Sequence, residues 1–338
     1  MRSSRKARVK YRQCLRTFQK KFGLSSLSIH IHLHIRSIMN DHFSRRRFLQ
    51  VSGVALAGTA LSPNLLTAAE NYFKTKHIGL QLWSVRDDMK KDPAGTLKAL
   101  AAMGYKEVES FGYDAQTDQI FGLTLKDFSK LLKDNGLKMP SSHSAIQLAD
   151  YDPATKMLSD RAKKVIDSAA SVGQKYLINP WTGDEDRKKL PELMKTFTAV
   201  GEYAKKAGIK FGYHNHDFEF KTKGTDGRVM YDWLLEEVDP KLMVMEMDIY
   251  WVQFAGFQAL DYFKKYPGRF ELCHAKDMSA ADQHPSIEFG DGTIDFKSIL
   301  AQRSKAGLKY VIVELENYLT TPMKGAQRSL DNLKALKV

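Results

Sequence analysis

The chain has 338 residues, room for one large α/β domain or two small ones, and a formal net charge of +13. Thirteen of its 52 Lys/Arg, against one acid (Asp41), fall in residues 1–47; the 39 left face 38 acids, so the body is close to neutral and offers no basic surface for a nucleic-acid backbone. Of the two cysteines, Cys14 lies in the basic leader and Cys273 is alone in the body, which excludes an internal disulfide there and fixes no redox compartment.

Residues 1–38 fit neither a signal nor a core and read as an extension upstream of a start at Met39. Residues 39–69 read as an export signal. Ser44-Arg45-Arg46-Arg47-Phe48-Leu49-Gln50 resembles the twin-arginine motif, and an apolar run of about eleven residues (51–61) follows. Thr67-Ala68-Ala69 offers the small side chains that a signal peptidase requires. The run is too short to span a bilayer, which takes about 20 residues. The expectation is therefore engagement of the twin-arginine export machinery, cleavage near Ala69, no membrane anchor afterwards, and a periplasmic or exported location.

Over residues 76–338 strands and helices alternate. Strands are predicted at 78–83, 107–109, 138–143, 176–179, 210–216, 242–248, 270–276 and 310–316. Helices are predicted at 92–103, 124–135, 153–172, 188–207, 231–237, 257–266, 295–306 and 324–336. Pro93 suits a first helical turn, and Gly104, Gly136, Gly173, Gly208 and Gly307 each follow a helix. Eight such units in about 260 residues predict a single (β/α)8 TIM barrel. An open doubly wound sheet is the runner-up, but the first strand-helix turn lacks a Gly-rich phosphate loop. The two long connections, 217–229 and 278–294, both follow strands with ligand-type residues, and Phe218-Glu219-Phe220 with Gly224 and Gly227 predicts a small hairpin.

Four successive strands end in metal-type side chains: Tyr213-His214-Asn215-His216, Met245-Glu246-Met247-Asp248, Cys273-His274-Ala275-Lys276 and Val313-Glu314-Leu315-Glu316. In a parallel barrel these ends meet on one rim, where His, Asp, His and Glu would hold a divalent cation and leave positions open for substrate. Alternation puts His214 and His216 on one face, and likewise Glu246 and Asp248, and Glu314 and Glu316. Asp248 is favoured over Glu246 because it is nearer the strand end, which leaves Glu246 as a supporting or buried partner. Glu109 and His143 would close the second and third strands on the same rim. Lys276 would share the face of His274, placed to stabilise an enediolate oxygen or bind a hydroxyl. Trp83, Trp181, Trp251 and Phe254 would form apolar walls for sugar C–H faces.

The body resembles the xylose isomerase-like TIM-barrel superfamily, and within it exported sugar phosphate isomerase/epimerase-like proteins. The resemblance lies in Gly79-Leu80-Gln81-Leu82-Trp83-Ser84-Val85-Arg86, Tyr213-His214-Asn215-His216-Asp217-Phe218-Glu219-Phe220, His274-Ala275-Lys276-Asp277, Gly290-Asp291-Gly292-Thr293-Ile294-Asp295-Phe296 and Glu314-Leu315-Glu316-Asn317-Tyr318. It implies a metal held from strands five to eight by His214, Asp248, His274 and Glu314, with His214 standing where the epimerases carry a glutamate. The strand ends and aromatic positions themselves give the expected catalytic set, Glu109, His143, His216, Lys276 and Glu314, and the expected substrate contacts, Trp83, Trp181, Trp251 and Glu316. The cofactor is a divalent cation, with Mn, Zn, Co, Fe and Mg all left open.

The function expected is a metal-dependent sugar isomerase or epimerase that abstracts a C–H proton from a sugar or keto-sugar through a metal-stabilised enediolate. The lost glutamate weighs against two-base epimerisation, so a 3-keto-glycoside lyase or dehydratase acting by β-elimination is the alternative. A non-catalytic sugar-binding protein is the third reading. An apurinic endonuclease is disfavoured by the neutral body. The partner is a small carbohydrate, not nucleic acid, and homo-oligomerisation is left open.

Overall fold

The structure, a computed structural model, describes residues 78–337; the expected upstream extension, signal and cleavage point lie outside the described residues. Eight parallel strands close into a barrel: β1 (Ile78–Gln81), β2 (Glu107–Phe111), β3 (Lys138–His143), β4 (Tyr176–Asn179), β5 (Lys210–His214), β6 (Met243–Asp248), β7 (Phe270–Ala275) and β8 (Tyr310–Val313). β8 closes on β1 through Ile78↔Val311 and Leu80↔Val313. The main helices after successive strands are α1 (Pro93–Met103), α2 (Leu125–Asp134), α3 (Asp160–Ser171), α4 (Leu190–Lys206), α5 (Met230–Glu237), α6 (Ala259–Lys265), α7 (Phe296–Ala301) and α8 (Pro322–Ala335). α1 shows the local logic. Pro93 occupies the first turn, Asp92 accepts from the Gly95 N–H, and Gly104 leaves the helix at φ +108°.

Strand period decides what fills the barrel. Tyr176 and Ile178 of β4, Val244 of β6, Leu272 of β7, and Tyr310 and Ile312 of β8 form one buried cluster. On β6, β7 and β8 the positions two residues further along the same face are polar: Glu246 and then Asp248, His274, and Glu314 just past β8. Gly212 of β5 belongs to this packed layer, where a Cβ would stand 2.6 Å from Ile178 Cδ1. At the opposite end of the barrel Glu271 is held by Lys210 (2.6 Å), Lys309 (2.9 Å) and the Tyr176 hydroxyl (2.7 Å). Ion pairs on that face serve stability in this architecture.

Four expectations are corrected. β1, β5, β7 and β8 end at Gln81, His214, Ala275 and Val313, so His216, Lys276, Glu314 and Glu316 lie beyond their strands. Glu109 lies within β2, which runs on to Phe111. The third helix starts at Asp160 instead of 153, because Ser159 caps it and residues 151–158 form a small hairpin. Phe218–Lys221 is a helical turn, and the hairpin at this place is drawn instead between Lys223 and Val229.

Candidate metal centre

Sheet register sets the site. Gln81 is paired with Glu109, Glu246 with His214, and Asp248 with His274 on adjacent strands. Past β5, the Asn215 side chain bridges to β6: its Nδ2 donates to Asp248 O (3.2 Å) and its Oδ1 accepts from Asp248 N (3.1 Å). Asp248 ends β6 and caps the short helix Ile249–Phe254, Oδ1 accepting from Trp251 N at 3.0 Å. That leaves Oδ2 for the site.

His214, Asp248, His274 and Glu314 each offer one donor atom such that the four lie within 4.8 Å of one another, all buried. Asp248 Oδ2 is 4.0 Å from His214 Nε2 and 3.9 Å from His274 Nδ1, and Glu314 Oε2 is 3.1 Å from His274 Nδ1. Lys276 Nζ, fully buried, lies 2.9 Å from Asp248 Oδ2, 2.7 Å from Glu314 Oε2 and 2.6 Å from Glu316 Oε1. The approach to Asp248 is off the line of a hydrogen bond, so Oδ2 is a buried acceptor without a hydrogen-bond partner. Two imidazoles and two carboxylates, one with an orphaned oxygen, fit a divalent cation with mixed N/O preference.

A second group overlaps the first. Glu109 Oε1 accepts from Gln81 Nε2 (2.8 Å) and lies 2.7 Å from His274 Nε2 and 3.0 Å from His143 Nε2. His143 Nε2 also meets Glu246 Oε2 at 2.7 Å, and the His143 ring stacks on His274 at 5.3 Å. His143, His214, Glu246 and His274 form a second group with donor atoms within the same 4.8 Å limit. Burial opposes charge on His143, but Glu109 and Glu246 outweigh it and lift the ring to about 9. Burial, reinforced by Glu109, pushes Glu246 up to about 7. Burial likewise raises Asp248 to about 6, against the pull of Lys276. Burial disfavours the charged His274 as well, but Glu246, Glu314 and Glu109 hold it well above the usual histidine range.

The remaining predicted residues surround this core. His216 stands in the loop after β5, its ring 5.0 Å from His214 and 5.5 Å from Trp251, with a buried, unpaired Nδ1. Burial and the nearby Lys276 charge lower it to about 4. Its backbone N–H is held by Glu219 Oε2 (2.8 Å), whose other oxygen accepts from the Tyr213 hydroxyl (2.8 Å). Trp251 lies under the Lys276 ammonium, 5.4 Å from ring centre to Nζ. Trp83, 41% exposed, packs edge-on against Phe111, and Trp181, 44% exposed, stands on the loop after β4. Neither tryptophan is drawn into the buried cluster.

Gln81, Asn215 and Glu219 are functional neighbours that the sequence reading passed over. Gln81 and Asn215 are polar residues at or next to the end of an apolar run, which is a readable signal. Nothing local marks Glu219 as buried. The motif Gly290-Asp291-Gly292-Thr293-Ile294 has a plain purpose here. Asp277, next to Lys276, accepts from the N–H groups of Met278, Gly290, Gly292 and Ile294 and so fixes the loop after β7. A Cβ at Gly292 would stand 2.3 Å from Asp277 Oδ1.

A profile of the xylose isomerase-like TIM barrel matches residues 97–336. The chain belongs to the xylose isomerase-like TIM barrel family. This xylose isomerase-like chain is 28% identical to a sugar phosphate isomerase/epimerase from Parabacteroides distasonis, with a TM-score of 0.66 over 77% of this chain and 94% of that one. It is 27% identical over 154 residues to an inosose dehydratase of Clostridium tetani, covering 40% of this chain and 50% of that protein. The chain thus spans about half the length of the curated relatives it matches. It shares its fold with a 3-keto-D-glucoside 4-epimerase from E. coli, at 13% identity and a TM-score of 0.56 over 77% of this chain and all of that one.

Proposed function

We propose that this xylose isomerase-like chain is a metal-dependent enzyme that isomerises or epimerises a sugar or keto-sugar by C–H proton transfer. The supporting observation is the buried convergence of His214, Asp248, His274 and Glu314 from four successive strands at the C-terminal rim of the barrel. These four would hold the cation, whose chemistry when bound is that of a Lewis acid toward neighbouring carbonyl and hydroxyl oxygens. His216 supplies the proton acceptor: its Nδ1 has no partner, and at neutral pH its ring is uncharged. Lys276 places an ammonium where negative charge develops on the substrate oxygen, held there by Glu314 and Glu316. Trp251 sets an apolar ring beside Lys276, suited to a sugar face. A location outside the cytoplasm rests on the leader motifs alone.

A second reading has its own support. His214 stands where the two-base epimerases carry a glutamate, and the curated relatives are inosose dehydratases. Proton removal followed by loss of a β-substituent needs only one base.

Incubation of keto-sugars, 3-keto-glucosides among them, in D₂O with Mn²⁺, Zn²⁺, Co²⁺, Fe²⁺ or Mg²⁺ tests both readings. The expected result is metal-dependent deuterium incorporation next to the carbonyl, abolished by chelation. Incorporation with recovery of an isomeric sugar supports isomerisation or epimerisation, and an unsaturated product supports elimination. Tight sugar binding with no exchange under any metal would show a binding protein instead.

A further inference from the structure

The two His nitrogens that matter most face opposite ways. His274 turns Nδ1 toward Asp248 Oδ2 and Glu314 Oε2, and Nε2 toward Glu109 Oε1. The Nε2 contact is the shorter, 2.7 Å against 3.1 Å to Glu314. The surroundings of Glu109 fix the direction of that bond. Gln81 Oε1 accepts from Trp83 N at 3.1 Å, so the other end of its amide, Nε2, must donate to Glu109. Glu109 therefore acts as an acceptor at Oε1, and it is fully buried. Its Lys-free setting differs from that of Glu314, which already accepts from Lys276 Nζ at 2.7 Å.

Resting on the metal reading above, we infer that Glu109 is a positioning residue that fixes the tautomer of His274. With a cation in place it would hold the Nε2 proton, so that Nδ1, facing Asp248 and Glu314, is the nitrogen left free to ligate. Gln81 holds Glu109 in turn. The consequence is a choice between the two overlapping groups: the cation belongs to His214, Asp248, His274 and Glu314, and Glu109, His143 and Glu246 act on its ligands from the side of His274 Nε2. A carboxylate that donates no bond to the metal but orders a ligating imidazole contributes about 10–100-fold to metal affinity. Glu109 is thereby removed from proton transfer at the substrate.

The test uses zinc as probe with the full chain. Zinc affinity is measured by competition with a chelating dye for wild type, Glu109→Ala, Glu109→Gln and Asp248→Ala, and the ¹⁵N shifts of the histidine rings are recorded for the zinc-loaded wild type. The expected result is an affinity lowered about 10–100-fold in Glu109→Ala and largely recovered in Glu109→Gln, whose amide oxygen still accepts. His274 should carry its proton on Nε2, a signature that does not depend on any variant folding. Zinc bound by Glu109→Ala as tightly as by wild type, or a proton on Nδ1, would overturn the inference while loss of zinc in Asp248→Ala leaves the metal centre standing. A second zinc per chain that disappears in Glu246→Ala would overturn it too, since the second group would then be a metal site itself. Full zinc retention in Asp248→Ala would remove the metal centre and the inference together.

Discussion

An Asp248→Ala variant is expected to lose its stoichiometric cation and to fall on the order of 10³-fold in turnover, the several kcal/mol that a Lewis acid contributes to such chemistry. Asp248 is the residue best suited to show this. Its Oδ2 is a buried acceptor with no hydrogen-bond partner, and both candidate imidazoles stand within 4.0 Å of it. The barrel should survive the change. β6 keeps its pairing with β5 and β7 through backbone contacts, the side chain's hydrogen bond caps the short helix Ile249–Phe254, and the Lys276 ammonium that it also faces keeps Glu314 and Glu316 as partners. Losing a cap costs about 0.5–2 kcal/mol. His274→Ala should have the same effect on metal and activity. Metal analysis of the purified variants, with circular dichroism to confirm the fold, checks both.

Lys276→Met is expected to be the most destabilising single change in the site when no metal is added. The ammonium is fully buried among Asp248, Glu314 and Glu316, and a methionine of similar length leaves those carboxylates without their counter-charge. Breaking a buried pair from one side costs about 3–5 kcal/mol. The loss should depend on pH in a definite sense. Burial already raises Asp248 to about 6, and removing Lys276 removes the main opposing pull. A carboxyl whose folded value lies above its unfolded value stabilises the fold while protonated in both states. Stability then falls as pH rises from the unfolded value through the folded one. The variant should therefore lie closest to wild type near pH 4–5, a range set by ordinary carboxyl values of about 4, and fall furthest behind above pH 7. Added zinc should restore more stability to the variant than to wild type, because it supplies the missing positive charge. Urea denaturation across pH, with and without zinc, measures all of this. A variant as stable as wild type at pH 8 would mean that the carboxylates are neutralised by something else.

The barrel was legible because its signals are local and repeated. Apolar runs of four to six residues, helices opened by Asp92-Pro93 and closed by Gly104 or Gly307, and a strict alternation leave few architectures. The identity of the rim residues was legible for the same reason: a strand whose last inward position turns from Val or Ile to His, Asp or Glu marks itself. What the sequence did not carry was depth. Strands β5 and β8 stop at His214 and Val313, so the alternation argument for His216 and Glu316 fails even though both residues still reach the site. Glu109 looks like a rim carboxylate in the sequence, yet in three dimensions it meets His143 and His274, beside the Glu246 that the sequence already marks as a supporting partner. Which of the two groups a carboxylate joins depends on the stagger of neighbouring strands, such as the shift between Met245 and Glu246 in the pairing of β6 with β7. No periodicity within one strand reveals that. The burial of Glu219 is missed for a similar reason, since it depends on a helical turn where the sequence pattern predicted a hairpin.

Both expected results depend on one cation being held at the ends of β5 to β8. Anomalous diffraction from crystals grown with zinc tests it most directly. The predicted result is a single strong peak at bonding distance, about 2.0–2.2 Å, from His214, Asp248, His274 and Glu314. A peak seated instead among His143, Glu109 and Glu246, or no peak at the mouth of the barrel, would contradict it.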